Sequence, residues 1–116
     1  MNFHLEEQQR KICEKFNCRP DIPLAGSKLG ISKSAIGGTI APIHGLRHPA
    51  EKGTNGWYIW AGEWEDREDF FLPLHVDHIQ SLLPAIEQYL ALPAGWRFLI
   101  AGGYEDVWFD VSLLAI

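Results

Sequence analysis

His75-Val76-Asp77-His78 sets two imidazoles three residues apart, a spacing that puts both on one helical turn, where such a pair can ligate a transition metal. A zinc site needs more ligands than that. They would have to come from elsewhere, such as His44 or His48 of a separate loop, and no His-Glu-x-x-His spacing occurs. The pair therefore reads as helix-surface or capping histidines, and no metal or cofactor is expected. The acidic run Glu63 to Asp69 lacks the alternating oxygen ligands of an EF-hand, and general acid–base work would need one carboxylate raised by burial, which a solvated run does not supply. Cys13 and Cys18 stand five apart in a predicted helix, where their side chains diverge, and form no Cys-x-x-Cys pair. Gly37-Gly38 and Gly102-Gly103 read as turns, with no phosphate-loop lysine after them. No set of nucleophile, base and orienting group emerges, so the chain is read as a non-enzyme. A small metal-dependent enzyme using the four histidines stands as an alternative.

What remains is a surface of rings and carboxylates. Trp60, Trp64, Tyr104 and Trp108 cannot all be buried in a chain of 116 residues that carries five Trp, three Tyr and six Phe. Acids flank them in two places: Glu63, Trp64, Glu65, Asp66, Glu68 and Asp69 follow one apolar run, and Tyr104, Glu105, Asp106 and Trp108 belong to another. These ten residues are the candidate partner-binding set, with rings supplying anchoring area and acids supplying orientation. Charge is divided along the chain. Residues 1 to 56 hold eight Lys/Arg against five Asp/Glu, net +3, and residues 57 to 116 hold two against ten, net −8. Phosphate binding needs a basic footprint that neither half has, so nucleic acid is excluded as a partner and a basic protein is favoured.

The elements that must position these residues follow from periodicity. Residues 3 to 17 read as a weakly packed helix, with Leu5, Ile12 and Phe16 on one side, Asn2 as cap, Gln8 and Gln9 interrupting the stripe, and Asn17 at its end. One or two short strands fall between Ala25 and Gly45, and a loop runs from Ile43 to Gly56. Gly56 to Gly62 is a strand, echoed by Gly95 to Gly102. Between them Val76, Ile79, Leu82, Leu83, Ile86, Tyr89 and Leu90 recur at helical spacing, and Pro84 opens a second short helix. The segment Trp96 to Val111 forms a hairpin. A turn centred on Gly103-Tyr104 sets Trp96, Phe98 and Ile100 opposite Val111, Phe109 and Val107 on a wholly apolar face, and Arg97 opposite Asp110 on the other. The expected class is α+β, an antiparallel sheet including this C-terminal hairpin and covered by helices.

The length suits a single domain over residues 1 to 116. The acidic amino terminus is neither a signal peptide nor a membrane anchor, and no stretch approaches the roughly 20 apolar residues of a span, so a cytoplasmic protein is expected.

The runs Gly45-Leu46-Arg47-His48-Pro49, Gly53-Thr54-Asn55-Gly56-Trp57-Tyr58-Ile59-Trp60-Ala61-Gly62-Glu63, Phe70-Phe71-Leu72-Pro73-Leu74-His75-Val76 and Gly95-Trp96-Arg97-Phe98-Leu99-Ile100-Ala101-Gly102 resemble small bacterial immunity proteins of polymorphic toxin systems. The resemblance is to the class numbered thirty-three, formerly a domain of unknown function. It covers residues 43 to 110, leaves the amino-terminal helix outside, and implies a protein that binds and neutralises a cognate toxin without catalysis. It brings no toxin-contacting residues with it. A general protein or peptide interaction module is the second reading of the same residues.

Overall fold

The computed structural model describes residues 3 to 115. Helix α1 (Phe3–Lys15) precedes strands β1 (Lys28–Ser32), β2 (Ile43–Arg47), β3 (Thr54–Ala61) and β4 (Phe71–His75). A 3-10 turn (Val76–His78), helix α2 (Ile79–Leu82) and a 3-10 segment (Pro84–Tyr89) lead to β5 (Trp96–Ala101), β6 (Tyr104–Phe109) and a closing 3-10 turn (Val111–Leu114). The six strands form one sheet in the order β4-β1-β3-β2-β5-β6. Only β1 and β3 pair in parallel; the other four pairings are antiparallel. The α+β architecture and the C-terminal hairpin are those the periodicity predicts.

Alternation on the strands gives the sheet two faces of different character. Leu29, Ile31, Trp57, Ile59, Ala61, Ile43 and Phe98 point to the helical side, where they meet Ile12, Cys13, Ile79, Leu83, Ile86, Tyr89, Leu90 and Leu92 in the main core. Leu83, with φ −154°, breaks the helix, and Pro84 then sits in the first turn of the next segment, where its missing N–H is no loss.

The amino-terminal helix packs more closely than its sequence suggests. Gln9, Ile12 and Cys13 are all buried. The Gln9 amide donates to the Glu87 carbonyl at 2.9 Å, and the Cys13 thiol to that of Ala91 at 3.5 Å, so the glutamine that seemed to interrupt the stripe belongs to it. The helix ends at Lys15, and Asn17 adopts a left-handed φ of 59°. The Cys18 N–H then bonds the Cys13 carbonyl at 2.9 Å, and the Asn17 N–H that of Glu14 at 3.2 Å, the paired bonds of a Schellman cap. That cap folds Cys18 back toward Cys13, near enough for the two thiols to influence each other's ionisation, so they converge rather than diverge; both are free. Asn2, expected as the helix cap, lies outside the described residues.

Three further expectations are corrected. The stretch from Ile43 is strand β2, not loop, through Arg47. Its glycine is a packing residue: a Cβ at Gly45 would lie 2.2 Å from the Phe98 ring. Strand β4 was not anticipated, because Pro73 speaks against a strand; it is tolerated on the sheet edge. In the hairpin the turn is Gly102-Gly103, with the positive φ at Gly102 (58°) that a two-residue type II′ loop requires at its first central position. Trp96 therefore pairs with Phe109, Phe98 with Val107 and Ile100 with Glu105. A two-residue slip leaves every side chain on its expected face. It also makes that face less than wholly apolar. Glu105 interrupts it, Val111 falls beyond the strand, and Phe109 is 48% exposed. Arg97 is now opposite Trp108, and it reaches Asp110 diagonally at 3.1 Å on the other face, as the alternation predicts.

Candidate functional site

The sheet face away from the helices is only partly covered. Direct pairing places Pro73, Gly30, Tyr58, Leu46, Arg97 and Trp108 in one row across all six strands. Trp60, His44, Leu99 and Asp106 form the next row over β3, β2, β5 and β6. The loop after β3 folds back over one side of this face, and the closing turn over the middle, so that Leu46, Trp60, Phe70 and Leu113 form a second, smaller core.

Aromatic contact holds this region together. Trp64 packs on Trp60, Phe70 and Phe71 at centroid separations of 5.2, 5.5 and 5.4 Å, and Phe71 in turn meets Tyr58 at 5.1 Å. Trp60 is 5% exposed and Trp64 54%, so the first anchors the cluster and the second presents a ring to solvent. His44 stacks on Trp60 at 4.8 Å and 11°. Burial, and after it the nearby Arg97 cation, lower the pKa of its imidazole, which favours the neutral ring.

Against this surface Tyr58, Trp64, Phe71, Leu46 and His48 enclose an open cleft of about 430 Å³, and Glu51 is among its lining residues. His48 is fixed by donating Nδ1–H to the Leu113 carbonyl at 3.0 Å. Glu51 belongs to a tight turn in which Thr54 N–H bonds its carbonyl at 2.9 Å and Gly53 takes φ 72°. Its carboxylate has no hydrogen bond or ion pair among the described residues.

The candidate residues read from the sequence divide into groups. Glu63, Trp64, Glu65, Asp66, Glu68 and Asp69 are exposed on the loop after β3, where Arg67 approaches Glu65 at 3.5 Å and Asp69 at 3.8 Å. Tyr104, Asp106 and Trp108 lie on the same sheet face, at the β6 edge. Three strand spacings, about 14 Å, separate β3 from β6, and His44 and Leu99 bridge the gap. Both groups lie toward the same end of the sheet, because Ala61 pairs with Ile43, Ile43 with Ile100 and Ile100 with Glu105. Glu105 alone is taken away. It faces the helices, accepts hydrogen bonds from Lys15 Nζ at 2.6 Å and from the Tyr89 hydroxyl, and these hold its pKa below the usual carboxylate range.

The histidines are dispersed rather than gathered. His75 and His78 stand ring to ring at 5.9 Å at the β4 edge, with His75 Nδ1 donating to the Gly26 carbonyl, whereas His44 is on β2, three strands across. Among the described residues no three His, Cys, Asp or Glu side chains are grouped to hold a metal ion. Arg47, read from the sequence as part of the Ile43 to Gly56 loop, is a structural tie. Its guanidinium is buried and donates to the carbonyls of Asp21, Asn55, Leu90 and Leu92 at 2.7, 2.9, 3.3 and 2.9 Å. His44, Tyr58, Leu99 and Phe71 were missed as members of the open face. Strict alternation about the buried Trp57 and Ile59 was the signal that would have found Tyr58.

Geometry thus defines an α+β domain with one face sealed by helices and the other an aromatic sheet surface rimmed by acids. The chain belongs to the Imm33-like domain family, whose model matches residues 8–110; the name indicates a family of immunity proteins. The match begins 35 residues before the region of resemblance (43 − 8 = 35) and takes in most of α1, in keeping with the bonds from Gln9 and Cys13 into the core. No curated protein and no solved structure matches the chain. Among the described residues no helix is long and apolar enough to cross a membrane.

Proposed function

We propose that this is a non-catalytic immunity protein of a bacterial polymorphic toxin system, acting in the cytoplasm by binding and neutralising a cognate, basic protein toxin. Family membership supports the immunity role. The observation that carries the docking site is the open sheet face: Trp64, 54% exposed, sits on a loop whose five carboxylates and one arginine sum to −4, and Tyr104, 58% exposed, lies on the same face at the β6 edge. Exposed rings next to a single-sign field combine an anchoring area with electrostatic steering. The proposed contact set is Glu63, Trp64, Glu65, Asp66, Glu68 and Asp69 with Tyr104, Asp106 and Trp108. Glu105 is omitted from it, because Lys15 and Tyr89 already occupy its oxygens.

The test is coexpression with the toxin encoded next to this protein's gene. Survival of cells carrying both, death of cells carrying the toxin alone, and copurification of the two proteins are expected. Toxicity undiminished by coexpression would refute the proposal.

A further inference from the structure

We propose that the cleft between Tyr58, Trp64, Phe71 and Glu51 is a receptor for a guanidinium group, and that the partner fills it with an arginine side chain. This deepens the toxin-binding reading and rests on it for the identity of the partner, but the cleft's chemistry is testable without any toxin.

The same sheet face already holds one guanidinium in this way. Arg97 lies over the Trp108 ring at 5.4 Å, and its Nη1 reaches the Asp110 carboxylate at 3.1 Å. A flat cation is thus held between a ring face and a carboxylate, the two groups that attract it by its charge and its planarity. Both residue types recur in the lining of the cleft. Tyr58 and Phe71 meet edge to face at 5.1 Å and 69°, and Phe71 and Trp64 at 5.4 Å and 61°, so the walls are rings set at steep angles to one another. Glu51 is the only carboxylate on the lining, and no Lys or Arg shares it; the adjacent Lys52 is not part of the wall. The volume of about 430 Å³ admits a long side chain with room to spare. Charge complementarity selects a cation as occupant, since Trp64 belongs to the loop of net charge −4. Flat aromatic walls select arginine over lysine, because the weakly hydrated guanidinium stacks where an ammonium keeps its water.

The experiment titrates the full chain with N-acetyl-arginine amide, following backbone and indole N–H resonances by NMR. N-acetyl-citrulline amide, of nearly the same shape and uncharged, and N-acetyl-lysine amide serve as comparisons. Saturable shifts confined to residues around the cleft are expected, with arginine binding about tenfold tighter than citrulline and tighter than lysine. Glu51→Gln should weaken the arginine amide about threefold to fivefold and leave citrulline unchanged, and Trp64→Ala should weaken arginine about tenfold. Glu51 and Trp64 are exposed, so both variants should fold, which the same spectra report. Absence of saturable shifts, equal binding of citrulline, or preference for lysine would each overturn the assignment. If the amide results hold, full toxin neutralisation by both variants would overturn the partner arginine while leaving the immunity function intact; failure of the wild-type chain to neutralise would instead strike the immunity reading.

Discussion

Replacing Arg47 by alanine should unfold the protein more readily than any surface change, and the size of the effect follows from the carbonyls it leaves behind. Of its four acceptors, Asp21 is exposed and can turn to water, and the Leu90 carbonyl keeps the Trp57 indole N–H at 2.9 Å. The Asn55 and Leu92 carbonyls lose the Arg47 donors that reach them at 2.9 Å, in buried surroundings. At about 1–3 kcal/mol for each orphaned buried group, the loss is about 2–6 kcal/mol, a large part of the 5–15 kcal/mol typical of a whole domain. A chain of this length should lose about 4 °C of Tm per kcal/mol, so a fall of about 8 to 24 °C is expected by circular dichroism. Arg47→Lys should fall between wild type and alanine, because one ammonium cannot span acceptors contributed by the β3 strand, the 21–23 connector and the end of the 3-10 segment. A Tm within 3 °C of wild type for Arg47→Ala would refute the view that this side chain ties the sheet to its helical layer.

Phe98→Ala, at a residue only 1% exposed, should cost about 3–5 kcal/mol in urea unfolding, whereas Phe109→Ala should cost well under half as much because the ring is half in solvent. Equal losses would mean that the hairpin register is wrong. Glu105 has a native pKa below its ordinary value of 4.5, held down first by its hydrogen bond from Lys15 and then by that from Tyr89. A depressed carboxylate stabilises the fold above its unfolded pKa, and that contribution disappears as pH falls through the native one. Glu105→Gln should therefore flatten the acid limb of a stability–pH curve; an unchanged limb would show that the Lys15 and Tyr89 contacts do not form.

Much of the fold was legible because Trp57 and Ile59 on β3, Trp96, Phe98 and Ile100 on β5, and Val107 and Phe109 on β6 recur at every second residue, and because Pro84 marks a helix restart by the donor it lacks. The hairpin's faces survived an error in the turn, since a slip of two residues conserves side-chain direction. The fate of Glu105 did not survive it. Only the true register sets this acid opposite Ile100, facing Lys15 and Tyr89, contacts 90 and 16 residues distant in sequence. Arg47 was misread for a similar reason: nothing local announces a buried cation whose acceptors come from three separate segments. Strand β2 was hidden by Gly45, whose absent side chain makes room for Phe98 and signals a loop only when the neighbouring strand is unknown. Of the proposed binding face, Trp64, Tyr104, Asp106 and Trp108 stand out in the sequence as excess rings and acids. Their union into one surface with His44, Leu99 and Tyr58 depends on a strand order that no local pattern encodes.

Association and dissociation of the toxin, measured at two salt concentrations for wild type, for Glu65→Lys combined with Asp66→Lys, and for Trp64→Ala, test the central claim most directly. Docking on the open aromatic face predicts that the charge reversal slows association about tenfold and flattens its salt dependence, while loss of the Trp64 ring speeds dissociation. Unchanged association and salt response in the first variant, together with wild-type dissociation in the second, would contradict it.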